Sequence, residues 1–322
     1  MKALLFDSFG GPEVLQFREL PDPVVPPGHV LLALRAAGLN FADLHRRRGN
    51  YFLPGEAPHI NGYEGAGVVV AVGEGVKGMA IGDRVGFADC PFANATRVAV
   101  PVDKAIPLPD DIGFVEAAAM LLQGLTAQYL VEDSYPVRAG ETVLVHAAGG
   151  GVGQALIQLA AAKGARVVGL ASTGEKRATA EDLGAQVCID YADGWSTRVR
   201  DHVGGGVDAV FDSVGTSFLQ SLSCLKDRGT LVAFGTAGGN PPSINPQLLM
   251  ERSLSVVGGD LWNHLDGRET RIDRADRLFQ AIRLRTLKLP KIEQYPLAHG
   301  PDAHRRMENR SFFGKIVMTN EE

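Results

Sequence analysis

Apolar positions along the chain follow two different rhythms. In the second half they come in short unbroken runs separated by helical stretches. Residues 142–147 are almost wholly apolar, as expected for a strand buried on both faces of a parallel sheet. A glycine run follows, and residues 152–163 then place Val152, Leu156, Leu159 and Ala160 at helical spacing, before a second apolar strand over 166–171. The alternation continues with helix 175–183, strand 187–190, helix 195–203, strand 207–212, helix 217–225 and strands 230–235 and 253–258. Alternating strands and helices, joined by right-handed crossovers, predict a doubly wound parallel sheet. The first 110 or so residues are instead rich in strands and turns, with strands over 28–37, 64–72 and 82–87 and a short helix over 39–48 that has Asn40 near its start. A helix over 114–133, with Ala117, Leu121, Leu125 and Tyr129 on one face, leads into the alternating region. The last sixty residues, helical over 268–285 and extended over 314–318, return to complete the first domain.

The fold expected is therefore α/β. A β-rich domain is formed by 1–122 and 264–322, and a doubly wound Rossmann domain by 123–263. The unit 142–171 has the size and order of a βαβ mononucleotide-binding half. In its turn Gly150 allows the backbone to approach a pyrophosphate, and Gly153 allows the helix to pack closely on the strand. Backbone N–H groups of Gly151 and Val152 at the helix start face the anion. Ala148 stands where the usual Gly-x-Gly-x-x-Gly pattern has its first glycine. The carboxyl ends of the strands line the cofactor cleft, which brings in 149–153, Ser172, Ser213 among 212–215, and Phe234 and Gly235 among 234–236.

Composition narrows this only by exclusion. The 322 residues, 45% hydrophobic and 21% charged, are those of a globular protein with ample core. A net charge of −5 argues against nucleic acid as the main partner, and Arg46-Arg47-Arg48, the one basic run, reads as a solvated helix face. No apolar stretch of membrane-spanning length and no signal peptide are read, and Cys90, Cys188 and Cys224 make neither a disulfide framework nor a metal knuckle. A cytoplasmic location is the expectation.

Six segments carry a family resemblance: Gly38-Leu-Asn-Phe-Ala-Asp43, Gly65-Ala-Gly-Val-Val69, Gly82-Asp-Arg-Val85, Gln123-Gly-Leu-Thr-Ala127, His146-Ala-Ala-Gly-Gly-Gly-Val-Gly153 and Gly314-Lys-Ile-Val317. In type and order they resemble the medium-chain dehydrogenase/reductase superfamily and, within it, the zinc-free quinone oxidoreductase (zeta-crystallin-like) branch. The resemblance implies a GroES-like catalytic domain, a Rossmann domain that binds NADPH, and a homodimer. It places Asn40, Tyr51 and Thr126 around the nicotinamide and the substrate, and counts Lys315 with the cofactor residues. Zinc relatives have ligands where this chain has Asn40, Gly62-Tyr63-Glu64 and Gln123, and Glu64 alone cannot hold a zinc ion. The chain is expected to be metal-free.

For Asn40 two readings stand: a donor to a developing oxyanion or a helix N-cap. Tyr51 either meets a planar acceptor or is a loop aromatic. Tyr63 fills the vacated ligand space or acts as a weak acid. His45 stands at a proton-relay position, but Ala42 replaces the relay hydroxyl. The coenzyme preference is read from the second strand, which ends at Leu170-Ala171-Ser172-Thr173 without the acid that binds a ribose 2′-hydroxyl. Ser172, Lys176 and Tyr191 resemble the family's 2′-phosphate set, with Glu175 the competing ribose ligand.

The function implied is an NADPH-dependent, zinc-independent reductase of quinones or α,β-unsaturated carbonyls. The alternatives are an enoyl-thioester reductase, which would need a basic patch such as Arg46–Arg48, and a nucleotide-binding, crystallin-like protein with little turnover. Strand 253–258, without proline or charge to guard its edge, is the expected dimer contact.

Overall fold

Eight strands come first in the chain: β1 (Lys2–Phe6), β2 (Gln16–Glu19), β3 (His29–Leu39), β4 (His59–Ile60), β5 (Gly65–Val72), β6 (Arg84–Phe87), β7 (Arg97–Pro101) and β8 (Ile106–Pro107). The computed structural model describes residues 1–309 and 312–320. Strands β2, β1 and β4 make a small antiparallel sheet. The long β3 is the spine of a larger one, paired antiparallel with β5 and β7. Two strands from the far end of the chain, β15 (Ile292–Pro296) and β16 (Lys315–Thr319), extend it, so that its order is β15-β16-β3-β5-β6-β8. Alternating small and branched residues on β3 and β5 bury one core, in which Leu32, Leu34, Val69, Val85 and Phe87 meet.

The second sheet is parallel throughout. Its strands are β9 (Thr142–Val145), β10 (Arg166–Leu170), β11 (Val187–Ile189), β12 (Val207–Asp212), β13 (Leu225–Ala233) and β14 (Ser255–Gly258), in the order β11-β10-β9-β12-β13-β14. Helices α3 (Gly151–Ala162), α4 (Gly174–Asp182), α5 (Trp195–Val203), α6 (Phe218–Cys224) and α7 (Pro246–Arg252) lie between successive strands, and α8 (Gly267–Arg283) follows β14 in the chain. The strand order reverses between β10 and β12 on either side of β9, which is where a doubly wound sheet opens its binding crevice. The unbroken apolar runs of β9, β10 and β12 are buried on both faces of the sheet; Val143, Leu144 and Val145 are wholly inaccessible.

By its internal contacts the chain forms two units, 1–122 with 265–279 and 289–322, and 123–264 with 280–288. Residues 280–288 cluster with the second unit, not with the first as the boundary at 264 implied. The side chain of Gln158 on α3 explains this: it accepts from the backbone N–H of Lys288 at 2.7 Å and donates to that residue's carbonyl at 3.2 Å.

Two sequence readings need correction. Helix α2 (Phe114–Tyr129) and the π-helical turn after it make Phe114–Ser134 a stretch long and apolar enough to cross a membrane, contrary to the sequence expectation; 72% of its most apolar window is buried within the protein, so the composition reflects core packing. The basic run on α1 (Phe41–Arg47) is also no solvated face. Arg46 and Arg47 are buried, and only Arg48 reaches solvent. Arg47 donates to the Gly10 carbonyl, to Nδ1 of His304 at 2.9 Å and to Glu308, the last two on α9 (Gly300–Glu308). Burial and the neighbouring guanidinium push the pKa of His304 down to about 3, so it accepts as a neutral ring.

Candidate active site

The turn after β9 is built by close approaches. Gly150 is the N-cap of α3, and its N–H bonds to the Ala147 carbonyl at 2.7 Å. A Cβ on Gly153 would collide with that carbonyl, so only glycine lets the helix start so near the strand. Ala147 has φ +48°, a left-handed conformation that costs a non-glycine residue roughly 1–2 kcal/mol. Its N–H is held by the Tyr191 hydroxyl at 2.8 Å. The first turn of a twelve-residue helix therefore opens on Gly150, Gly151 and Val152, an arrangement suited to an anion.

The end of β10 shows how the coenzyme's ribose would be read. Ser172 is exposed, Thr173 caps α4 through Oγ1, and Lys176 follows in the first turn. The lysine stem lies across the phosphate turn: a Cβ on Gly149 would meet Lys176 Cβ at 2.6 Å. Glu175 lies within the helix, exposed, and no acid stands at the strand end. Ser213 follows β12 and Gly235 lies beside it, 3.0 Å separating a Cβ at Gly235 from the Ser213 carbonyl; Phe234 is half-buried next to them. The second unit thus gathers Gly150, Gly151, Val152, Gly153, Ser172, Lys176, Tyr191, Ser213, Phe234 and Gly235 at the carboxyl ends of its strands. Thr126, on α2, is buried in the same unit.

Strand register assembles the second constellation, in the first unit. Ile316 lies opposite Leu39, and Ala37 opposite Gly65. One residue beyond these pairs, Lys315, Asn40 and Glu64 converge. Lys315 is wholly buried, its Nζ 2.6 Å from Glu64 Oε2 and 2.8 Å from Asn40 Oδ1. Asn40 Nδ2 donates to the same carboxylate oxygen at 2.9 Å, and the Leu122 N–H donates to Glu64 Oε1 at 2.7 Å. A side chain on Gly38 would strike Glu64 and the Ala118 carbonyl, so a glycine is needed there.

Lys315 therefore stands in a buried ion pair with Glu64. Asn40 is the N-cap of α1, with Asp43 Oδ2 accepting from its backbone N–H at 2.9 Å, while its amide serves the cluster.

Next to the cluster, Arg46 pairs with Asp43 at 3.1 Å, its guanidinium 3.7 Å from the centroid of the Tyr63 ring and 4.9 Å from that of Tyr51. Burial pushes the Asp43 carboxyl up, against the pull of Arg46. Burial likewise raises the Tyr63 phenol, with Arg46 opposing. Tyr63 is nearly inaccessible, and Tyr51 is exposed. His45, half-buried, is held below the usual histidine range by burial and Arg48.

Comparison with known proteins identifies the arrangement. Residues 26–138 match the alcohol dehydrogenase GroES-like domain, and 151–274 the zinc-binding dehydrogenase family. The chain is 38% identical over 322 residues to a quinone oxidoreductase of Pseudomonas aeruginosa, covering 98% of this chain and 99% of that one. It belongs to the quinone oxidoreductase branch of the medium-chain dehydrogenase/reductase superfamily.

A 2-haloacrylate reductase of Burkholderia sp is 36% identical, over 98% of each chain. The crystal structure of Escherichia coli quinone oxidoreductase complexed with NADPH superposes with a TM-score of 0.94 at 35% identity, covering 99% of this chain and 100% of that one. One of the matching family descriptions invokes zinc, and the residues of this quinone oxidoreductase-family chain do not fit that ion. Among the described residues no three His, Cys, Asp or Glu side chains converge, and the Glu64 carboxylate already holds an ammonium that would repel a dication.

The NADPH fit is better. The close-packed glycine turn, Ser172 and Lys176 offer backbone N–H groups, a hydroxyl and a cation, with no acid against a 2′-phosphate.

Proposed function

We propose that this chain is a zinc-independent, NADPH-dependent reductase of quinones or α,β-unsaturated carbonyls. The observation that carries the reading is the nucleotide turn with Lys176 laid across it and no acidic residue at the end of β10. It is supported by relatives that reduce quinones and 2-haloacrylate and by a structural neighbour that binds NADPH.

The turn and the α3 N-terminus hold the pyrophosphate; Ser172 and Lys176 hold the 2′-phosphate, while the Tyr191 hydroxyl, which accepts from the Ala147 N–H, supports the turn instead; Ser213, Phe234 and Gly235 line the remaining strand ends. NADPH supplies the hydride when bound. Tyr51, with Arg46 beneath it, offers an exposed phenol to a planar acceptor, and the reduced oxygen takes its proton from solvent or from this hydroxyl. Asn40 and Thr126 are proposed to border the acceptor and the nicotinamide. Asn40 acts there as a fixed dipole, since its amide is already engaged with Lys315 and Glu64. The enoyl-thioester alternative loses its one sequence hint, because Arg46 and Arg47 are buried and Arg48 pairs with Glu308.

Parallel kcat/KM measurements with a benzoquinone and with a haloacrylate test the acceptor class. Both should be reduced with NADPH, and the quinone faster, since it needs no committed general acid. Tight NADPH binding with no turnover of either acceptor would favour the crystallin-like alternative.

The homodimer is part of the same proposal. β14 ends its sheet, with Val256 exposed. An unguarded edge of this kind is buried by pairing with its symmetry mate. Light scattering should give the mass of two chains; a monomer at every concentration would refute it.

A further inference from the structure

The side chain of His146, the residue between β9 and the glycine turn, is not used by the reading above, yet it is wholly buried among polar groups. Its Nε2 lies 3.0 Å from Ser221 Oγ, and Ser221 Oγ lies 2.7 Å from Asp212 Oδ2. Ser217 Oγ donates to the same Asp212 oxygen at 3.1 Å. Asp212 Oδ1 accepts from the N–H groups of Val214 and Gly215 at 2.7 and 3.1 Å, in the turn that follows β12. On the other side, His146 Nδ1 lies 3.4 Å from the Tyr191 hydroxyl and 3.5 Å from Ser217 Oγ. Tyr191 in turn accepts from the N–H of Ala147, the left-handed residue of the phosphate turn. The Trp195 ring closes the site edge-on to the imidazole, its centroid 5.3 Å away.

We infer that His146 is a positioning residue for the coenzyme: through Tyr191 it holds Ala147, and with it the phosphate turn, in the binding conformation. This rests on the reading that NADPH occupies that turn.

The direction of the chain follows from what each group can do. Asp212, kept ionised against its burial by the hydrogen bonds it receives from Ser221, Val214 and Gly215, can only accept. Ser221 therefore spends its proton on Asp212, and its oxygen accepts from Nε2–H of the histidine. Burial keeps the imidazole neutral. With the proton on Nε2, Nδ1 is a bare acceptor, and it takes the Tyr191 proton while the phenol oxygen receives the Ala147 N–H. One carboxylate thus fixes a tautomer, the tautomer orients a phenol, and the phenol holds a strained residue in place. The same carboxylate anchors the turn after β12, so two of the loops that would meet the coenzyme share one buried anchor.

The pyrophosphate is common to NADPH and NADH, so the consequence is distinctive. Losing His146 should weaken both coenzymes by the same factor, whereas losing a 2′-phosphate ligand weakens NADPH alone. The dissociation constants of both, measured by nicotinamide fluorescence, are the readout. His146→Phe, which keeps a ring without nitrogens, should weaken each about five- to tenfold, the worth of one ordinary hydrogen bond. His146→Asn, whose amide oxygen can stand where Nδ1 stands, should recover most of that loss, which a packing role would not explain.

If His146→Phe does not fold, Ser221→Ala decides. It removes the acceptor that fixes the tautomer and should also weaken both coenzymes in parallel. Unchanged affinities in whichever variant folds, or a loss confined to NADPH, would overturn the inference. A wild-type protein that binds neither coenzyme would instead overturn the parent reading, and this one with it.

Discussion

Lys315→Met should destabilise the first unit by about 3–5 kcal/mol, the usual cost of leaving one member of a buried ion pair without its partner. Both side chains are fully inaccessible, and among the described residues Glu64 would keep the Asn40 amide and the Leu122 N–H as donors. The double variant Glu64→Gln with Lys315→Met should recover much of the loss, because no uncompensated charge then remains. Urea unfolding followed by circular dichroism checks this, with the midpoint of the first transition as the measure, since a two-unit chain need not unfold in one step. Equal midpoints for wild type and Lys315→Met would show that the pair does not hold the β16-β3-β5 junction together.

Lys176→Ala should weaken NADPH about ten- to a hundredfold, the equivalent of one hydrogen bond to a charged group at roughly 1.5–3 kcal/mol. NADH should be nearly unaffected, because it lacks the phosphate the ammonium would meet. The geometry favours a large effect. The stem of Lys176 packs over Gly149, so the side chain is already confined beside the turn and less rotamer entropy remains to be lost on binding. Thr173 caps the helix that carries it, which fixes where the lysine emerges. Equal losses for both coenzymes would move the phosphate site elsewhere.

Much of this architecture is legible in the sequence because its signals are local. The apolar runs of β9, β10 and β12 differ from helices in length and flanking glycines, and α5 begins and ends where its pattern does. β13 is less visible: it begins at Leu225, but Lys226, Asp227, Arg228 and Gly229 look like a turn and are tolerated because Lys226, Asp227 and Arg228 are exposed and the register with β12 is irregular. Strand β15, with exposed polar positions at a sheet edge, carries no alternation to read.

The site shows the same division. The glycine turn is contiguous, so its signal is local. The Glu64–Lys315 pair joins residues 251 positions apart, and neither shows in sequence that its charge will be buried. Arg47 finds His304 at a separation of 257, so a run of arginines that looks solvated is in fact consumed by α9. His146 lay within a recognised motif, but its partners Tyr191, Ser217 and Ser221 come together only once β11, β12 and α6 are in place. Long-range polar pairing leaves no periodicity in a sequence.

The most direct test of the account is NADPH oxidation by a benzoquinone, measured on protein that has been exhaustively chelated and assayed for metal on the same sample. The account predicts no stoichiometric zinc, undiminished hydride transfer after chelation, and a clear preference for NADPH over NADH. One zinc per chain, lost together with the activity, would contradict it.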